Sequence, residues 1–147
     1  MEMTGEQVIA RPQPLVWQAI TDPQVLKTCI PGCEAMEQIG ENEYQVVMGA
    51  KVGPVSAKFK GRITLAEVQA PDSYTLVFEG QGGVAGFAKG QARVRLVPEG
   101  ETTRLHYDAK ATIGGKLAQV GSRLVDGVAR KMADAFFTAF NRHVSGS

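Results

Sequence analysis

The hydrophobic period of this chain switches from two to 3.6, and that switch decides most of what it can fold into. Between Cys33 and Thr112 apolar residues recur at every second position. Tyr44, Val46, Met48, Ala50 and Val52 alternate with Gln45, Val47, Gly49 and Lys51. Val55, Ala57, Phe59, Gly61, Ile63 and Leu65 alternate with Ser56, Lys58, Lys60, Arg62 and Thr64. Three further inward rows follow: Tyr74, Leu76 and Phe78; Ala92, Val94 and Leu96; and Leu105, Tyr107, Ala109 and Ala111. Such alternation marks strands with one dry and one wet face. Gly53-Pro54, Ala70-Pro71-Asp72 and Pro98-Glu99-Gly100-Glu101 are turn signals, so the strands form an antiparallel meander. The glycine-rich stretch from Gly80 to Gly90 predicts a turn and then a bent or bulged strand start.

After Gly114-Gly115 the period becomes helical and holds to about His143, with Leu117, Val120, Leu124, Val128, Met132, Phe136 and Phe140 on one stripe. At ~1.5 Å per residue, one helix of that length runs on the order of 40 Å and crosses a whole curved sheet. Ahead of the strands, Met3 to Ala10 predicts a further strand. Leu15 to Ile20 predicts a short helix with Pro14 in its first turn. Gln24 to Cys29 predicts a second, capped by Asp22 with Pro23 in the first turn. The order is one strand, two short helices, about six antiparallel strands and one long helix, which is an α+β arrangement of two layers. A strongly curved sheet round a helix is not packed solid along its whole length, and an apolar volume left between the layers is a small-molecule site.

A chain of 147 residues is the size of one domain, expected to span 1–147, and can bury a core. Its 44% hydrophobic and 21% charged residues are ordinary for a soluble globular protein, and a net charge of +1 points to no nucleic acid. No apolar run reaches the ~18 residues of a membrane span. The N-terminal MEMTGEQVIARPQP lacks the layout of a signal peptide, so a cytoplasmic location is expected.

Few residues offer chemistry. Cys29 and Cys33, the only cysteines, flank Ile30-Pro31-Gly32. They supply half a zinc site at most, and their spacing is one residue too long for the redox motif, so packing of a corner is expected and no metal. His106 falls on an outward position, and His143 sits in the last turn of the long helix, where a cation complements the dipole. No serine has a nucleophile-elbow context, and no carboxylate falls on an inward position, so no catalytic residue is assigned. Gly121 and Gly127 each cost a helix about 0.5–1 kcal/mol, which predicts a close approach there by backbone or ligand. Lys116, Arg123 and Arg130 recur every seven residues and would share a helix face able to dock an acidic partner or an anionic bilayer, although Asp126 and Asp134 would partly neutralise Arg130.

Five stretches give the chain a resemblance: VWQAITDP from Val16, CIPGC from Cys29, VGPV from Val52, FKG from Phe59 and GGKLAQVGSRL from Gly114. The order of elements resembles the helix-grip fold of the START and birch-pollen-allergen (SRPBCC) superfamily. More narrowly, the stretches resemble the CoxG family of carbon monoxide dehydrogenase subunits. That resemblance implies about seven strands wrapped round the long helix, and a non-catalytic accessory protein of a molybdenum hydroxylase of the carbon monoxide dehydrogenase type. It further implies membrane attachment and the handling of an apolar quinone, with no covalent cofactor. Some members carry a C-terminal membrane anchor; this sequence ends at His143-Val144-Ser145-Gly146-Ser147 without one, so the expected membrane contact is peripheral. The expected cavity takes Met48, Phe59, Phe78 and Tyr107 from strands and Val120, Gly121, Leu124, Val128 and Met132 from the helix, with Tyr107 orienting the ligand. The alternative is an interaction module that recruits the enzyme through Lys116, Arg123 and Arg130, with the cavity incidental.

Overall fold

The computed structural model describes residues 1–146. Strand β1 (Glu2–Ile9) leads into helices α1 (Gln13–Ile20) and α2 (Pro23–Cys29). Six strands follow: β2 (Cys33–Gly40), β3 (Glu43–Val52), β4 (Val55–Gln69), β5 (Ser73–Gln81), β6 (Phe87–Glu99) and β7 (Thr102–Gly114). A short helix α3 (Lys116–Gln119) and the long helix α4 (Ser122–Val144) end the chain. The strands make one antiparallel sheet in the order β1-β7-β6-β5-β4-β3-β2. Hairpin neighbours pair in sequence, and β1 closes onto β7 with Gly5 opposite Tyr107. The glycine-rich stretch is a 3-10 turn at Gly83–Ala85 between β5 and β6.

Local chemistry accounts for the small helices. Asp22 has extended backbone and its carboxylate accepts a hydrogen bond from the Gln24 amide at 2.9 Å, while Pro23 fills the first helical position where no donor is needed. At the following corner the Cys33 amide donates to the Ile30 carbonyl at 3.2 Å, with Pro31 and then Gly32 in the middle. Gly32 has φ +75, the left-handed value that a Pro-Gly turn requires at its third residue. A Cβ at Gly32 would also run into the Gly49 carbonyl oxygen.

One continuous 40 Å helix is not what forms. The helical spacing runs unbroken through the sequence, yet the backbone breaks between α3 and α4 at Gly121, whose φ of +100 ends one helix and starts the next. The 23 residues of α4 span roughly 35 Å at ~1.5 Å each. Gly121 is therefore a joint and carries no in-helix penalty. Gly127 does lie inside α4, but beyond the helix's own backbone no atom lies within 4 Å of a Cβ added there, so neither glycine marks a close approach.

The core gathers at one end of the sheet. Ile9, Val16, Ile20, Leu65, Tyr74, Leu96, Leu105 and Phe140 are buried together beneath α1, α2 and the last turns of α4. Phe140 is fully buried and stacks on Phe136 with ring centroids 5.8 Å apart. Asn141 ties the helix end to β1, donating to the Val8 carbonyl at 2.9 Å and accepting from the Ala10 amide at 3.0 Å.

Two stability measurements check this packing. Phe140→Ala should cost about 3–5 kcal/mol in a denaturant melt, because a stacked, fully buried ring leaves a cavity. Gly127→Ala should raise stability by about 0.5–1 kcal/mol, whereas a loss would mean that something does approach that face.

Candidate ligand-binding site

The inner face of the sheet carries large side chains at one end and small ones at the other. Toward the core, Tyr74 pairs with Val94 and Leu96 with Leu105. Farther along, Val46, Gly61, Gly80, Ala88 and Ile113 form one cross-strand row over five strands, and three of the five are glycine or alanine. The glycine is obligatory at Gly61, where a Cβ would meet the Glu79 carbonyl oxygen. Opposite lies the first half of α4, with Val125, Val128, Ala129 and Met132, none of them large enough to reach the sheet everywhere.

The result is a cavity of about 390 Å³ between sheet and helix. Met48, Phe59, Phe78, Val128 and Met132 line it together, as their inward and helical positions lead one to expect. Phe59 crosses from β4 over Gly82, whose missing side chain makes room for the ring. The wall is almost wholly apolar. Arg62 and Glu79 border it, but both fall on outward strand positions and are exposed.

Tyr107, Val120, Gly121 and Leu124 do not line this cavity. Tyr107 faces inward but at the packed end, lying over Gly5 of β1 and stacking on Phe137 at 5.5 Å. Burial pushes its hydroxyl up, opposed by Arg130 and assisted by Asp134. Val120 and Gly121 belong to the joint ahead of α4, and Leu124 sits over Gly53 in the β3–β4 turn, 39% exposed. Their places are taken by Leu117 of α3, Val125 and Ala129 of α4, and Ile30 from the Cys29–Cys33 corner. The joint removes Val120 and Gly121 from the helix, while within α4 the face of Val125, Val128, Ala129 and Met132 meets the sheet and leaves Leu124 about a quarter-turn away, at its edge.

The other singled-out residues are scattered. Cys29 is buried in the core and Cys33 half-buried; both are free, and burial pushes both thiols up. No cluster of three or more His, Cys, Asp or Glu residues suited to a metal occurs among the described residues. His106 lies on the outer face with its Nδ1 2.9 Å from the Glu6 carboxylate. Lys116 stands on α3 ahead of the joint, so it does not continue the α4 face of Arg123 and Arg130; all three are exposed. A second, larger groove of about 760 Å³ lies on the outer face, bordered by Arg62, Glu79, Lys89 and Lys110. Its wall mixes polar and apolar surface, unlike that of the inner cavity. No helix among the described residues is long and apolar enough to cross a membrane.

The position of Tyr107 sets a direct expectation. Tyr107→Phe should leave the affinity for any cavity ligand unchanged within about twofold, since the hydroxyl lies outside the cavity wall; calorimetric titration of both proteins with one ligand reads this out.

The fold is shared with solved structures of several bacterial proteins. A conserved protein from Geobacillus kaustophilus is 30% identical, with TM-score 0.94 and coverage of 100% of this chain and 97% of that one. A START superfamily protein from Mycobacterium smegmatis is 13% identical with TM-score 0.75, covering 99% and 97%. The ZhuI aromatase/cyclase from Streptomyces sp. R1128 is 14% identical with TM-score 0.72, covering 99% and 93%. These last two likenesses show the helix-grip fold alone. No curated protein matches the chain in sequence. The family model for CoxG, a subunit of carbon monoxide dehydrogenase, matches residues 5–145, and the chain belongs to that family.

Proposed function

We propose that this protein is a non-catalytic carrier that sequesters a lipid-like molecule, such as a quinone, in the cavity between sheet and α4. One observation carries the reading: a cavity of about 390 Å³ with an apolar wall, held open by small residues on both layers. A ligand in an apolar space of that size makes dispersion contacts that the facing walls do not make with each other. A ligand burying about 200 Å² of apolar surface gains about 5 kcal/mol from leaving water, before the cost of association is subtracted.

Family membership adds the context. The name of the family supports association with an enzyme of the carbon monoxide dehydrogenase type, a molybdenum hydroxylase, with this chain as an accessory that works in the cytoplasm or at the membrane face. An aromatase/cyclase shares the fold, so the fold alone does not separate carrier from enzyme. The wall favours the carrier. General acid/base work needs a titratable group turned toward the substrate; the ionisable side chains at the border, Arg62 and Glu79, are on outward positions, and the Met1 ammonium there donates to the Ala111 carbonyl at 2.9 Å. Recruitment through a basic stripe has less support, because the joint at Gly121 takes Lys116 off the α4 face that holds Arg123 and Arg130.

Ala88→Phe tests the proposal. The ring would occupy the row Val46-Gly61-Gly80-Ala88-Ile113 from within. Addition of a prenylated quinone should raise the melting temperature of the native protein and leave that of the variant unmoved, with the variant's circular dichroism unchanged. Equal shifts in both proteins, or none in the native one, would contradict the proposal.

A further inference from the structure

We infer that the cavity takes the hydrocarbon chain of its ligand and leaves the polar head outside, so that recognition follows chain length and not head chemistry. The inference rests on the proposed carrier role and narrows it to a ligand class: molecules with one long alkyl or prenyl chain.

Two observations lead there. The first is the chemistry of the wall. Met48, Phe59, Phe78, Leu117, Val128 and Met132 offer no hydrogen-bond donor, and the polar side chains at the border belong to the other face. The three tyrosines of the inner face all lie elsewhere, and so do Gln7 and Thr103, which pair with Leu105 and Ile9 at the packed end. Tyr107 stacks on Phe137, Tyr74 meets Trp17 edge-on at 5.6 Å, and Tyr44 is buried in the core. A ring carbonyl drawn into this space would give up its water without a side-chain partner, weakening binding by roughly ten- to a hundredfold per group. A methylene drawn in strengthens binding by roughly fourfold.

The second is volume. At the ~30 Å³ that a water molecule occupies, 390 Å³ accommodates on the order of a dozen methylene-sized groups. That is enough for a chain of about a dozen carbons. A fused-ring head and a long chain together would exceed it.

Calorimetric titration with n-alkanols of about six to sixteen carbons reads both points. Affinity should climb by roughly fourfold per carbon and level off near a dozen. Two naphthoquinones, one bare and one bearing a ten-carbon prenyl chain, form the second arm. The bare ring should bind at least a hundredfold more weakly, and the prenylated one within about tenfold of decanol. In Ala88→Phe the levelling-off should move to shorter chains. A bare ring that binds as tightly as its prenylated form, or an affinity flat in chain length, would overturn the inference and leave the carrier role standing. Failure of every compound to bind would overturn both.

Discussion

The docking of three phenylalanines at the end of α4 fixes everything else in this molecule. Phe136, Phe137 and Phe140 pack against the large-residue end of the sheet, and Asn141 bonds the helix terminus to β1 on either side of Ile9. With that end fixed, the direction of α4 is set, and a 23-residue helix must carry its first half over the other end of the sheet. There the sheet presents glycine and alanine. The cavity follows from a rigid helix held at one end above a surface that does not rise to meet it at the other.

The small residues answer first to the sheet itself. A side chain at Gly61 would strike the carbonyl of Glu79, and one at Gly90 the carbonyl of Lys110, so backbone geometry demands glycine at both. The open volume and the bend of the strands therefore share a cause. Gly121 adds the second device: its positive φ lets α3 fold against the glycine-rich β5–β6 turn and bring Leu117 to the cavity while α4 takes its own line. The fold thus makes a pocket whose wall is almost wholly apolar.

Much of this is legible in the sequence, and the misses share a physical reason. Alternation tells which residues face inward, and it locates Met48, Phe59 and Phe78; helical spacing locates Val128 and Met132. Parity says which face a residue is on but not which end of the sheet it occupies, so Tyr107 reads as a cavity residue although its pairing with Gly5 puts it in the packed half. The joint at Gly121 escapes notice because apolar spacing continues straight through it; spacing is blind to φ, and Val120 is misplaced in consequence, whereas Leu124 is misplaced by the slow drift of an i,i+4 stripe round α4. Gly80 and Ala88 give no hydrophobic signal at all, since what they contribute is space. Ile30 is hidden in a stretch whose cysteines draw the eye, although the Pro31-Gly32 turn serves to hold that isoleucine against the cavity.

The most direct measurement is an electron-density map of the protein crystallised as purified from its source cells. Continuous, chain-shaped density is expected between Gly61 and Gly80 on the sheet and Val128 and Met132 on α4, with any bulky head emerging from the cavity. A site filled by hydrogen-bonded water, or closed by Met132 and Phe59 turned inward, would contradict it.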